Sequence, residues 1–171
     1  MVRFDEKLEE LKEHLSHQRN MMGSNCAIQT FTNILEVLDR EDFKSFYYTN
    51  LISPFPVFGG FKGKSGWESP CGTVCGGLAA LGVIMGGNEK VSKDPDIMRI
   101  QARAAKFAKR FEERFGSLSC AAVSGYDLST MDEMMKYIKT KTWEKKCIHA
   151  LLFAIDEVRN LTKKELKKYW E

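Results

Sequence analysis

Residues 69–77 read Ser-Pro-Cys-Gly-Thr-Val-Cys-Gly-Gly, and they open a nearly charge-free segment that ends near Met85. Proline has the backbone angle of a first helical residue and no amide hydrogen, and serine is a favourable N-cap. The pair Ser69-Pro70 therefore predicts a helix start. Glycine disfavours a helix by about 1 kcal/mol per residue, so the many glycines that follow need a packing or ligand reason. We predict that residues 70–85 form a thin central helix that its neighbours approach closely.

The predicted helix start gives Cys71 a special position. In the first turn, unpaired amide hydrogens and the helix dipole favour a negatively charged sulfur. Thiols in such positions can have pKa values several units below the roughly 8.5 of a free cysteine, and we expect this of Cys71. Cys75 follows one turn later on the same face. The alternative is that a buried cysteine is simply a small hydrophobic residue, and for any single cysteine both interpretations stay open.

Helical periodicity dominates the rest of the chain, and no segment alternates polar and apolar residues convincingly. Further helices are expected at residues 4–22, 25–38, 41–51, 94–115, 129–139, 142–159 and 162–170. A chain of 171 residues has the size of one domain. We therefore predict a single all-α domain over residues 1–171, a bundle of about six to seven helices around the central Gly/Ala-rich helix.

Two smaller features carry expectations of their own. The loop before the central helix contains Gly59-Gly60 together with Phe61 and Trp67, so it is too aromatic for a floppy linker. We expect it to pack beside the central helix, and its glycine pair either forms a turn or brings backbone amides near an anion. Met134-Met135 is expected to fill the core rather than to bind a metal.

Charge and hydropathy narrow the class of protein. A net charge of only +3 gives no global field for nucleic acid, and no run of about 18 apolar residues indicates a membrane span. The N-terminus lacks the apolar core of a signal peptide, so we expect a cytoplasmic protein. Thiols stay reduced in that compartment. An odd count of five cysteines therefore points to metal or redox chemistry rather than to structural disulfides.

Common catalytic signatures are absent from the sequence. It has no GxxxxGK[ST] phosphate loop, no GxSxG elbow, no HExxH zinc helix and no CxxC pair. A small-molecule enzyme that uses the Gly-rich loop would lack an acid/base pair, which makes it the weakest hypothesis. The cysteines remain the main candidates for chemistry.

The order of these cysteines resembles a redox-active family named after a C…GCAxxG…C…C pattern, which has four cysteines and a motif usually written CGAxxG. The match begins at Cys26, continues through the segment 71–76 with the sequence Cys-Gly-Thr-Val-Cys-Gly, and ends with Cys120 and Cys147. It covers roughly residues 23–158. Two departures matter: Thr73 stands where the family has alanine, and Cys75 is an additional cysteine at a variable position.

The resemblance implies one redox or metal site, formed by Cys26, Cys71, Cys120 and Cys147 inside a helical fold. Four thiolates suit an iron–sulfur cluster or tetrahedral zinc. Without a metal, the site would work by thiol/disulfide exchange, with Cys71 as the attacking thiolate and Cys26 or Cys75 as its resolving partner. Both versions describe a cytoplasmic oxidoreductase, thiol-dependent or iron–sulfur-dependent, that exchanges electrons with an unidentified partner protein.

A second hypothesis comes from a different class of protein. A non-catalytic helical module would bind a partner protein, and its cysteines would be structural, with or without structural zinc. A homodimer is also open, because the thin glycine helix and the aromatic residues could form an interface. No nucleic-acid or membrane partner is expected.

Overall fold

The computed structural model describes residues 2–17, 26–38, 51–54, 60–86 and 94–169. The helices in this part of the chain are α1 (Val2–His17), α2 (Cys26–Leu38), α3 (Gly72–Gly86), α4 (Asp94–Phe115), α5 (Cys120–Ser124), α6 (Met131–Lys139) and α7 (Ile148–Tyr169), and a π-helical turn (Trp143–Cys147) leads directly into α7. The described residues contain two isolated β-bridges and no strand. The predicted all-α class is confirmed.

Helix α3 is the central helix, as predicted. It packs against α2, α4 and α7, and Leu81 and Ile84 on it have no exposed surface. Its apolar residues are spread around the helix rather than confined to one stripe, which suits a helix with neighbours on several sides.

Small residues on α3 allow α2 to approach closely. A Cβ atom at Gly76 would lie 2.4 Å from the carbonyl oxygen of Ala27, and one at Gly72 would lie 3.1 Å from the Cβ of Cys26. Only glycine leaves room for this contact. The close approach holds the first turn of α2, with Cys26, beside the start of α3.

Aromatic side chains join α4 to α7. Phe107 and Phe111 on α4 are fully buried, and the rings of Phe111 and Phe153 meet edge-on with their centroids 6.0 Å apart. The first turn of α4 lies outside this contact, because Ile97 is exposed. The core contact of α4 is therefore made by the middle and C-terminal part of the helix.

The C-terminal helix differs from the prediction. We expected two helices, 142–159 and 162–170, but α7 continues through residues 160–161 without a break. The Thr162 hydroxyl donates to the carbonyl oxygen of Val158 over 2.7 Å, within the helix, instead of capping a new one. Ion pairs of Arg159 with Asp5 and of Lys12 with Asp156 tie α7 to α1.

Some expectations concern residues outside the described ranges. These are residues 18–22 of the predicted helix 4–22, residues 41–50 of the predicted helix 41–51, and Gly59 of the glycine pair. The other predicted helices are confirmed, with shifts of a few residues at their ends.

Candidate functional site

The region before α3 is not the helix start that we predicted. Helix α3 begins at Gly72, whereas residues 69–71 pair with residues 118–120 through an antiparallel β-bridge between Pro70 and Ser119. The amide of Cys71 donates to the carbonyl of Leu118 over 2.7 Å, and that of Cys120 donates to Ser69 over 3.0 Å. These bonds flank the bridge, so Pro70 occupies the position that needs no N–H donor.

The bridge brings Cys71 and Cys120 to one side of the pairing. Each cysteine follows a bridge residue, and side chains in paired strands alternate between the two faces, so the two cysteines share a face as diagonal neighbours. Cys120 then begins α5, whose N-cap Ser119 accepts a hydrogen bond from the amide of Ala122. The predicted connector at Cys120 is therefore a built helix start.

Cys71 occupies the N-cap position of α3 instead of its first turn. Its carbonyl accepts hydrogen bonds from the amides of Val74 and Cys75, as an N-cap residue does. Its sulfur, in turn, is placed to accept hydrogen bonds from the backbone amides of Thr73 and Val74 and from the Thr73 hydroxyl, and all three lower the pKa of the thiol. The geometric argument for a stabilised thiolate therefore holds at this residue.

The predicted direction of the Cys71 pKa is nevertheless wrong. Burial raises this pKa, and it outweighs the three hydrogen bonds. The residue has almost no exposed surface, and an apolar environment disfavours the charged form of a thiol. Cys71 is thus a protonated thiol at neutral pH, and the hydrogen-bond donors around its sulfur would stabilise the thiolate form.

Thr73 supplies the side-chain donor at this sulfur. Its side chain is fully buried, and its hydroxyl has no well-formed hydrogen bond in the reduced protein. The hydroxyl acts on the thiolate form of Cys71, because an ionised sulfur is a much stronger acceptor than a thiol. Thr73 therefore contributes to the site mainly when Cys71 is charged.

Cys26 and Cys147 lie on different helices and are close enough for the charge of Cys147 to raise the pKa of Cys26. Cys26 is the first residue of α2, as the sequence predicted for its first turn. Burial raises the pKa of Cys26 well above its ordinary value, and the next largest cause is the charge of Cys147. Burial also raises the pKa of Cys147 to about 11. Cys147 closes the π-helical turn before α7, a kind of irregularity that is frequent at functional sites.

Tyr137 on α6 is a site residue that the sequence analysis missed. Its hydroxyl donates a hydrogen bond to the Cys147 sulfur over 3.5 Å. A signal was present in the sequence: Tyr137 lies off the stripe formed by the other apolar residues of α6. An aromatic residue outside the apolar stripe of a short amphipathic helix indicates a second contact of that helix.

The four cysteines of the pattern interact in every pairwise combination. The charges of other cysteines raise the pKa values of Cys26, Cys120 and Cys147, and together these interactions join all six pairs. The largest electrostatic partner of Cys26 is Cys147, and that of Cys120 is Cys71. Burial and these neighbours raise the pKa of Cys120 to about 12. The structure thus collects four distant cysteines into one thiol cluster.

Cys75 lies at the edge of this thiol cluster. It is half-buried, and burial and the charge of Cys71 raise its pKa to about 11. It lies one turn after Cys71 in α3, and its amide donates to the Cys71 carbonyl.

The loop before α3 contributes through its backbone. The amide of Gly60 hydrogen-bonds the Cys120 sulfur and lowers its pKa. Gly60 has a φ of +73°, and a Cβ there would lie 2.6 Å from Leu128, so glycine is required. The expectation that the loop aromatics pack down is wrong for Phe61 and Trp67, which are exposed and contact each other at a centroid distance of 6.0 Å.

A metal site would require several of the cysteine sulfurs to face one point. All five cysteines are within the described residues and all are free thiols. No group of three or more His, Cys, Asp or Glu side chains in that part of the chain is arranged to hold a metal ion. The role of Cys26, Cys71, Cys120 and Cys147 as metal ligands stays a prediction from the resemblance, and no step is derived through a metal.

Helix α6 exposes an apolar stripe beside the thiol cluster. No residue of α6 is buried, and the stripe consists of Met131, Met134, Met135 and Ile138, which are 71 %, 40 %, 58 % and 57 % exposed. The expectation that Met134-Met135 fills the core is therefore wrong. These residues recur at helical spacing on one face, while Tyr137 points to the cluster from another.

Comparison with known proteins gives one match. A family model described as "Putative redox-active protein (C_GCAxxG_C_C)" matches residues 24–161, which include all five cysteines. No curated protein and no solved structure matches the chain. Within the described residues, no helix is both long and apolar enough to cross a membrane.

Proposed function

The chain belongs to the C_GCAxxG_C_C redox family, and from this premise we propose that it carries electron pairs as disulfides formed within its thiol cluster. The observation that carries the proposal is the mutual interaction of four cysteines from separate parts of the fold. Neighbouring thiols can give up two electrons by forming a disulfide.

The strongest interactions divide the cluster into two pairs, Cys71 with Cys120 and Cys26 with Cys147. Each pair joins one buried cysteine, Cys71 or Cys147, to one half-buried cysteine. The buried member of each pair also has a hydrogen-bond donor from a side chain, Thr73 or Tyr137, that stabilises its thiolate. Each pair is therefore asymmetric, because its more buried member has a side-chain donor that stabilises the thiolate.

This asymmetry assigns a role to each sulfur. Cys120 first attacks a disulfide of an electron-accepting protein, and a mixed disulfide forms between the two proteins. The Cys71 thiolate then attacks Cys120, the intramolecular S–S bond forms, and the acceptor leaves as a dithiol. Two electrons and two protons have then passed from the pair to the acceptor. Cys26 and Cys75, the resolving partners expected from sequence alone, are the alternatives to Cys120.

Closing the Cys71–Cys120 bond needs a local movement. Diagonal neighbours in antiparallel pairing have Cα atoms about 7–8 Å apart, slightly more than a relaxed disulfide spans. Two backbone hydrogen bonds connect residues 118–120 to residues 69–71, and a small shift of this connection would bring the two sulfurs within bonding distance.

We place this activity in the cytoplasm, as a proposal. Free thiols suit a reducing compartment, where glutathione and thioredoxin-like proteins supply thiol partners. Such a partner protein, with an exposed dithiol or disulfide, is the electron donor or acceptor that the chemistry requires.

A thiol count against redox potential tests the proposal. Purified protein is equilibrated in glutathione buffers of graded potential, and free thiols are counted by mass after alkylation. We expect free thiols to disappear in pairs, up to four of the five, with the same result for Cys75→Ser, whereas Cys71→Ser loses one pair. Iron, sulfide and zinc analysis runs in parallel. Thiols that stay free at every potential would refute the thiol mechanism, and stoichiometric metal would favour the metal version.

The exposed apolar stripe of α6 favours a second candidate, a protein-interaction module with structural cysteines. Under that function, Cys71→Ser lowers the melting temperature and leaves partner binding intact, whereas Met135→Glu abolishes binding. Analytical ultracentrifugation at several concentrations tests the homodimer on the same samples. Loss of redox cycling in Cys71→Ser at unchanged stability would reject this candidate.

A further inference from the structure

The Tyr137 hydroxyl is held in place at the thiol cluster. It donates to the Cys147 sulfur over 3.5 Å, and its ring meets that of Tyr126 edge-on, with centroids 6.1 Å apart. The Tyr126 hydroxyl hydrogen-bonds that of Thr140 over 3.2 Å, so the Tyr126 ring and not its hydroxyl contacts Tyr137. The orientation of Tyr137 toward the cluster is therefore set by packing as well as by the hydrogen bond.

The surroundings keep Tyr137 protonated. Burial raises its pKa above the ordinary value, and the charges of Cys147, Cys26 and Cys120 raise it further. A phenol in this environment does not release its proton in exchange with a thiol. It acts as a permanent hydrogen-bond donor, which stabilises a neighbouring thiolate without changing charge itself.

We infer that Tyr137 is a positioning residue that makes Cys147 the leaving sulfur when a Cys26–Cys147 disulfide is reduced. The inference rests on the proposed function, since it needs that disulfide to form. Its geometric basis is the side-chain hydrogen bond from the Tyr137 hydroxyl to the Cys147 sulfur.

A thiol reductant would reduce the Cys26–Cys147 disulfide in two exchange reactions. Its thiolate attacks the Cys26 sulfur, a new S–S bond forms between the two, and the Cys26–Cys147 bond breaks with its electron pair on Cys147. The Tyr137 O–H group stabilises that charge until Cys147 takes a proton from water. A second reductant thiolate attacks the mixed disulfide at the reductant sulfur. Cys26 leaves and is protonated, and the reductant departs as its own disulfide.

Reduction kinetics test the role of the hydroxyl. Protein oxidised with oxidised glutathione is reduced by glutathione, and each cysteine is followed by differential alkylation and peptide mass spectrometry. We expect Tyr137→Phe to slow reduction of the Cys26–Cys147 disulfide about tenfold, the effect of removing one hydrogen bond to a charged group. Tyr126→Phe is the matched control, because it removes a neighbouring hydroxyl and keeps both rings, and its rate should stay within about twofold of wild type.

A second measurement needs no variant. Glutathione trapped on the wild-type protein during reduction should be found on Cys26 and not on Cys147. Equal labelling of the two cysteines, or an unchanged rate in Tyr137→Phe, would overturn the inference and leave the proposed function standing. Absence of any Cys26–Cys147 disulfide after oxidation would overturn both the inference and this pair of the proposed function.

Discussion

At the scale of single residues, the surroundings of Cys71 have two opposite effects on its thiolate: hydrogen bonds stabilise it, and burial destabilises it. Three hydrogen-bond donors surround its sulfur, yet burial keeps the pKa above its ordinary value. The sequence could predict the donors, because the start of a helix is encoded locally by Pro70 and the residues after it. It could not predict the burial, which comes from helices distant in sequence. The same limit applies to Tyr137, whose partner Cys147 lies in another helix.

The hydroxyl of Thr73 gives a prediction at this scale. Thr73→Val keeps the shape of the side chain and removes the donor, so the pKa of Cys71 should rise further. Alkylation of Cys71 by iodoacetamide at pH 8 should slow by roughly three- to tenfold. Because the thiol pKa is raised, the wild-type rate should still be increasing above pH 9.

Thr30→Val is the control for this measurement. Thr30 is as fully buried as Thr73 and its hydroxyl also lacks a partner, but Thr30 is not among the groups that shift the pKa of Cys71. Its substitution should leave the alkylation rate of Cys71 unchanged. Equal rates in wild type and both variants would show that the Thr73 hydroxyl does not act on the thiolate.

At the scale of elements, the contact between α2 and α3 positions half of the cluster. Glycine content made the central position of α3 predictable, because so many glycines in a helix require close neighbours. The pairing of residues 69–71 with 118–120 was not predictable, since a single β-bridge has no periodic pattern. Ser69-Pro70 has the local sequence of a helix start, but the pairing of Pro70 with Ser119 keeps these residues extended, and the helix begins at Gly72.

Gly76→Ala should separate these elements. The added methyl group would lie 2.4 Å from the Ala27 carbonyl oxygen, so α2 must shift. We expect destabilisation by about 1–3 kcal/mol, as for other overpacked contacts, measured by guanidinium unfolding. The shift also moves Cys26 away from Cys147, so the yield of their disulfide should fall.

The matched variant is Gly82→Ala on the same helix. A Cβ at Gly82 meets nothing within 4 Å, so the substitution should stabilise the protein by up to about 1 kcal/mol through helix propensity. If Gly76→Ala were as stable as Gly82→Ala, the close approach of α2 to α3 would be wrong.

At the scale of the whole molecule, raised thiol pKa values link stability to pH. Cys75, Cys120 and Cys147 have folded pKa values of about 11, 12 and 11, above their ordinary value of 9.0. Below pH 9 the thiols are protonated in both states, and their contribution to stability is fully present. Between about pH 9 and 11–12 only the unfolded state loses these protons, so the free energy of unfolding should fall as pH rises.

Guanidinium unfolding under reducing conditions at pH 7.5, 9 and 10.5 checks this decline. Cys75→Ala supplies the control, because it removes one titrating thiol and should reduce the loss of stability between pH 9 and 10.5. An identical pH dependence in this variant and in the wild type would assign the decline to groups other than this thiol.

The central claim is that four cysteines distant in sequence form two working pairs, and disulfide mapping tests it most directly. Wild-type protein is oxidised mildly with diamide, digested without reduction and mapped by mass spectrometry. The account predicts Cys71–Cys120 and Cys26–Cys147 links, with Cys75 left as a free thiol. A dominant Cys71–Cys75 link, links only between molecules, or five thiols that all remain free would contradict it.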